Sequence, residues 1–167
     1  MPRHVGDSRS AEYRVGIISD THGLLRPEAV AALQGSDLII HAGDIGHEGV
    51  LAALSEIAPV FAVRGNNDHG DWAEKIPEAR LVQAGEKLLF VLHDLKKLEQ
   101  APGGDSWAAV IAGHSHRPLV QERQGVLFIN PGSAGPRRFR LPVSVACLAI
   151  REGTLHCKII EIVPSRD

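Results

Sequence analysis

Val15-Gly16-Ile17-Ile18-Ser19-Asp20-Thr21-His22-Gly23 opens as an apolar run and closes on a carboxylate, an imidazole and a glycine. A short apolar run bounded by turn formers reads as a buried strand, here one that delivers polar residues at its end. If the chain stays extended, residues two apart face the same way. Asp20 and His22 then converge on one point, and Gly23 lets the chain turn away. An oxygen and a nitrogen donor so placed suit a divalent metal. Taken alone, such a tripeptide is more often a strand-end turn with an incidental histidine, but the same design recurs four more times.

Asp37-Leu38-Ile39-Ile40-His41 reads as a second buried strand and exits into Ala42-Gly43-Asp44. Pro59 to Val63 is a third, exiting into Arg64-Gly65-Asn66-Asn67-Asp68. Between them, Arg26-Pro27-Glu28 starts a helix that continues from Ala29 to Leu33 and stops at Gly35, and Glu48 to Ile57 has helical periodicity. Strands alternating with helices predict a parallel sheet. The second half is more antiparallel. Arg80 to Ala84 and Lys87 to Leu92 flank a Gly85-Glu86 turn, and the second run ends on His93. Asp94 to Ser106 holds Pro102, Gly103 and Gly104 and reads as a loop with a short helix at Leu95 to Gln100. Ala108 to Ala112 is a buried strand running into Gly113-His114-Ser115-His116. Leu119 to Glu122 and Val126 to Ile129 flank Gln124-Gly125, and Asn130-Pro131-Gly132-Ser133 closes that unit. Val143 to Ile150 and Thr154 to Val163 make a final hairpin around Glu152-Gly153.

The 167 residues suit one domain with a sizeable core, and 44% hydrophobic against 23% charged residues argues for an ordered globular chain. Residues 1–13 are polar and aperiodic and read as a loose tail, leaving 14–167 as a single domain. A net charge of −2 gives no polybasic footprint for nucleic acid, the exception being the local cluster Pro136-Arg137-Arg138-Phe139-Arg140. Cys147 and Cys157 read as reduced core residues. No apolar leader precedes the first strand and no run reaches membrane-spanning length, so the expectation is a cytoplasmic protein, with homo-oligomerisation left open.

Asp20, His22, Asp44, Asn66, His93, His114 and His116 all fall at or just past strand ends, where ligands of α/β folds sit. Seven oxygen and nitrogen donors divide between two metal ions, with one carboxylate able to bridge. The mix suits Mn, Fe, Ni or Zn better than Ca or Mg. Two such ions about 3.5 to 4 Å apart make hydroxide available near neutral pH and clamp a phosphoryl group for in-line attack. Gly23, Gly43, Gly65 and Gly113 each adjoin a donor, where the backbone must turn sharply or approach closely.

The order Asp-x-His, Gly-Asp, Gly-Asn-x-Asp, His and Gly-His-x-His resembles the calcineurin-like metallophosphoesterase superfamily, and in size the small single-domain bacterial and archaeal phosphodiesterases. The resemblance runs from Arg14 over nearly the whole chain and implies a four-layer αββα sandwich with mixed sheets. By the family pattern Asp20, His22 and His116 bind one divalent transition metal, manganese first among the candidates. Asn66, His93 and His114 bind the other, and Asp44 bridges. The implied activity is hydrolysis of a small-molecule phosphodiester by metal-activated hydroxide. A phosphomonoesterase or protein phosphatase, and a non-catalytic scaffold on the same fold, are the alternatives. Many members carry His where Asn67 stands, in contact with the phosphate and a candidate acid for the leaving group. Asn67 is able to hydrogen-bond a phosphate oxygen but not to donate a proton. Asn67 and Asp68 are taken as catalytic residues, and Asn67, Arg137 and Arg138 as substrate-binding ones. A solvated basic loop is the competing reading for the two arginines. Asp94 stands where a glycine commonly follows the His93 ligand. His4, His41, His47, His69 and His156 are expected to be solvated or locally hydrogen-bonded, with His69 the alternative acid.

Overall fold

A computed structural model describes residues 12–100, 106–138 and 140–163 of the chain. Most of the expected N-terminal tail and the centre of the loop from Asp94 to Ser106 lie outside the described residues. The first strand begins earlier than predicted: β1 is Tyr13–Ile18. It pairs in parallel with β2 (Leu38–His41), and β2 with β3 (Val60–Ala62). Helices α1 (Pro27–Ala32) and α2 (Glu48–Ser55) make the crossovers that parallel pairing requires. A single turn of helix, α3 (Asp71–Glu74), follows β3 and has no counterpart in the predicted elements, being too short to show periodicity.

A second sheet contains β4 (Ala79–Ala84), β5 (Lys87–Leu92), β6 (Ala109–Ile111), β7 (Leu119–Arg123) and β8 (Val126–Asn130), in the order β4-β5-β6-β8-β7. It is mixed: β4 with β5 and β7 with β8 are antiparallel hairpins, whereas β5, β6 and β8 run parallel. The last two strands, β9 (Val143–Arg151) and β10 (Thr154–Ile162), return to the first sheet, where β9 lies antiparallel on the open side of β1. The first sheet is therefore β10-β9-β1-β2-β3.

The main core is the layer between the sheets. Val15, Ile17 and Ile40 of the first meet Leu89, Val91 and Ile111 of the second, all fully buried. Strand alternation turns Ile18 and Ile39 outward, where Ala29 and Leu33 and the α2 residues Val50 and Leu54 cover them. The outer cover on the second sheet is thin. Among the described residues it consists of a 3-10 helix, Leu95–Gln100, which packs Leu95 and Leu98 with Phe90, Leu92, Val110 and Ala112, together with Trp107 stacked on Phe90. This is the four-layer arrangement of two mixed sheets between outer helical segments. Strands β1, β2 and β3 of one sheet and β5 and β6 of the other all release the chain toward the same end, and each is followed within a few residues by a candidate ligand. None of the described helices is long and apolar enough to cross a membrane.

Candidate metal centre

The loops after β1 and β2 run side by side beyond the sheet. Asp20 N–H donates to the Gly43 carbonyl, His22 N–H to Asp44 and Gly23 N–H to Ile45, at 2.7–2.9 Å. Asp20 and His22 thus come to one place, though not by strand alternation. Both have left-handed backbones, with φ of 57° and 48°, as have Asp44, His114 and His116. Among the described residues seven non-glycine positions have positive φ, and five of them are candidate ligands. Left-handed backbone is disfavoured for residues with a Cβ and persists where the surroundings hold it, commonly at functional sites.

Donor atoms of Asp20, His22 and His116 lie within 4.8 Å of one another, as do those of Asp20, Asp44 and His93. Asp44 Oδ2 is 3.7 Å from His22 Nε2 and 3.4 Å from His93 Nε2, and Asp20 Oδ1 is 3.4 Å from His116 Nε2. Asp20 therefore belongs to both groups, while Asp44 spans the histidines of the two. Asn66 and His114 sit at the exposed mouth and share a cleft with His93. The His114 ring meets that of His93 edge-on at 5.1 Å.

The electrostatics test whether cations fit. His93 Nδ1 donates to the Ala42 carbonyl at 2.7 Å, so in the neutral ring the Nε2 lone pair faces the carboxylates. Asp20 Oδ1, His22 Nε2 and His93 Nε2 are buried with no hydrogen-bond partner. Buried lone pairs that face one another repel, and cations held in the two groups would satisfy them. Burial alone would raise the Asp44 carboxyl. His93 and the backbone and side-chain N–H groups of Asn67 outweigh it and hold Asp44 well below the usual carboxylate range. Burial likewise opposes the charge on Asp20, but His116 and the Ser19 hydroxyl leave its carboxyl lowered. His93 is pushed down by burial yet ends raised, because Asp44 and Asp20 face it. Ionised carboxylates and convergent imidazoles are a donor set that fits divalent transition metals.

Other predicted residues take less expected places. Asp68 is buried and accepts three backbone N–H bonds, from Ile45, Gly46 and Gly65 at 2.8–3.1 Å. Both its oxygens accept backbone N–H groups, so that Asp68 braces the loops that carry Asp44 and Asn66. Asn67 donates to both Asp44 oxygens, from its backbone at 2.9 Å and its side chain at 3.0 Å. Arg137 and Arg138 are exposed, two residues beyond a segment pinned to the site: Ser133 Oγ donates to the Asp20 carbonyl, and Arg26 to that of Gly135. Asp94 Oδ1 accepts the Lys96 N–H at the start of the 3-10 helix rather than supporting His93.

Two contributors escaped the sequence reading. His41 is completely buried. Its Nδ1 accepts the Gly43 N–H at 3.1 Å, which leaves Nε2–H to donate to Thr21 Oγ1 at 3.0 Å. Burial pushes its pKa down to about 4, so the ring is a neutral spacer beneath the two ligand loops. Asn130 does the same for the histidine pair, donating to the Gly113 carbonyl and Ser115 Oγ. A histidine at a strand end and an asparagine before a proline carry no signal of this in sequence. Gly65 and Gly113 are required for closeness: a Cβ on the first would overlap Asp44, and on the second Ser19 and Asp20.

Residues 13–153 match the model of the calcineurin-like phosphoesterase superfamily domain. A probable metallophosphoesterase of Methanothermobacter thermautotrophicus is 33% identical over 162 residues, covering 87% of this chain and 91% of that protein. Among solved structures, one described as a novel archaeal phosphodiesterase superposes with a TM-score of 0.72 at 25% identity, over 88% of this chain and 99% of its own. Vacuolar Protein Sorting 29 from Cryptosporidium parvum shares the fold with a TM-score of 0.70 at 21% identity, over 90% and 98% of the two chains. With its candidate ligand loops at one end of two mixed sheets, the chain belongs to the calcineurin-like phosphoesterase superfamily.

Proposed function

We propose that the chain is a dinuclear metal-dependent phosphodiesterase. Asp20, His22 and His116 would hold one divalent transition-metal ion, manganese first among candidates, and Asn66, His93 and His114 the second, with Asp44 between them. The observation that carries this reading is a pair of donor groups sharing Asp20, one with His22 and His116 and one with Asp44 and His93, in which Asp20 Oδ1, His22 Nε2 and His93 Nε2 are buried without a hydrogen-bond partner. A folded protein has no physical reason to keep such a cluster unless a cation satisfies it. When bound, a pair of such ions supplies Lewis acidity toward a phosphoryl oxygen and activates water near neutral pH.

The chain's own residues do the rest. Asn67 orients Asp44 through two hydrogen bonds and presents an amide, not an acid, at the mouth. A departing oxygen therefore has to leave on its own stability, which favours esters of acidic alcohols and phenols. Arg137 and Arg138 supply positive charge beside the site for the phosphate's free oxygens. The similarity to the archaeal phosphodiesterase supports diesters over monoesters.

The test is metal counting combined with a substrate panel. Protein equilibrated with manganese should hold two ions per chain and cleave aryl diesters faster than alkyl diesters or monoesters. Asp44→Ala should lower activity more than loss of a ligand to one ion alone. Zero or one ion on a well-folded protein overturns the dinuclear reading, and faster monoester cleavage overturns the diester one.

A further inference from the structure

A cleft of about 410 Å³ opens from the metal centre along the thinly covered face of the second sheet. Asn66, His93 and His114 line it on the side of the centre, so whatever occupies it touches the same groups as the reacting phosphate. Phe90 and Leu92 provide an apolar floor, and Phe90 is held flat by Trp107, stacked at 4.5 Å between centroids. Its volume falls within the range of small-molecule pockets. A phosphodiester has an ester arm that remains on phosphorus and must lie somewhere next to the centre; this cleft adjoins it.

The charges in the cleft decide what that arm carries. Four charged side chains line it: Arg64, Glu78, Asp94 and Lys97. Arg64 is bound to Glu78 at 3.0 Å and to the Ala73 carbonyl, so those two cancel. Asp94 is half-buried and takes the Lys96 N–H at the start of the 3-10 helix. Lys97, exposed on the next turn, has no ion-pair partner among the described residues. The lining thus leaves one charge of each sign beside the apolar floor, Asp94 and Lys97, and Lys97 is the more exposed of the two and the one without a hydrogen bond to the helix start, free to meet a flat or apolar body that ends in a negative group.

Resting on the phosphodiesterase reading, we propose that this cleft is the subsite for the retained arm of the diester. That arm is an aromatic group bearing an anionic substituent, a carboxylate or a second phosphate, and Lys97 is the residue that selects it. The effect belongs to binding and not to chemistry, because Lys97 lies outside the ligand set.

The experiment uses three mixed diesters that share p-nitrophenol as leaving group and differ in the other arm: phenyl, 4-carboxyphenyl and 4-(aminomethyl)phenyl. In the manganese-loaded protein the carboxylate arm should lower KM about five- to tenfold relative to phenyl, with kcat unchanged. Lys97→Gln should abolish that preference and leave the phenyl diester untouched. Lys97→Arg should keep it, and Lys96→Gln, the neighbouring cation, should not alter it. Calorimetric binding of 4-carboxyphenyl phosphate against phenyl phosphate gives the same comparison without turnover. Equal KM for the three arms, a preference for the ammonium arm, or equal calorimetric affinity in wild type and Lys97→Gln overturns the subsite. Failure to cleave any of the diesters overturns the phosphodiesterase reading instead, and the calorimetry then judges Lys97 alone.

Discussion

His41 shows how much one side chain away from any ligand contributes to this centre. It joins Thr21 of one candidate ligand loop to Gly43 of the next, and the bond accepted from Gly43 needs the neutral ring. Because burial lowers its pKa from 6.5 to about 4, the unfolded chain takes up a proton in that interval while the native protein does not. The contribution of His41 is present above pH 6.5 and lost as pH falls to 4, by an amount of about 3 kcal/mol. Urea unfolding in the presence of a chelator should therefore give a flatter pH dependence over this window for His41→Gln than for wild type. Parallel curves would mean that the ring already protonates in the native state. Gly65 has the opposite character: its importance is the absence of atoms, since a methyl there meets the Asp44 carboxylate. The glycine is plain in the sequence, but the side chain it makes room for lies on another loop.

At the scale of elements, the segment from Ser133 to Arg138 is a strap across the centre. Ala134 N–H donates to the Ser19 carbonyl and Ser133 Oγ to that of Asp20, while Arg26 holds Gly135 from α1. The strap leaves Arg137 and Arg138 exposed, two and three residues beyond Gly135. Replacing both with Ala should raise KM for diesters about tenfold with kcat within about twofold of wild type, the signature of lost uniform binding. Steady-state kinetics decides it, and unchanged values return the pair to a solvated loop. Strands and the two longer helices were legible because alternation and helical periodicity persist over enough residues. The turn Asp71–Glu74 was not, and neither was the backbone of the ligand loops. There the chain leaves the strand at Ile18 and turns left-handed at Asp20 and His22, so the pairing of those side chains comes from a turn and not from a pleat.

For the whole molecule, the core shared between the sheets couples the two halves of the chain. Residues of β1, β2 and β9 interlock with those of β4, β5, β6 and β8, and the ligand loops span the same seam. One cooperative unfolding transition is expected, with fluorescence and circular dichroism coinciding. Manganese at a hundredfold excess over its dissociation constant should raise the midpoint by roughly 5 to 10 °C for each ion bound. Two separated transitions, or a metal-induced shift confined to one probe, would divide the chain into independent units. The sequence by itself determined the family: residue types at strand ends, in a fixed order, are local facts that survive reading in one dimension. It also determined that the first three strands pair in parallel and that three later strand pairs are hairpins, since connection length limits pairing direction, but not that β5, β6 and β8 run parallel among those hairpins. Only the tertiary structure decided that the last hairpin returns to β1, that Asp68 braces loops, and that His41 and Asn130 hold the ligand loops from beneath. Those roles depend on groups that folding brings together from separate loops, Ile45 with Asp68, Thr21 with His41 and Gly113 with Asn130, and a side chain's sequence neighbours carry no record of such a partner.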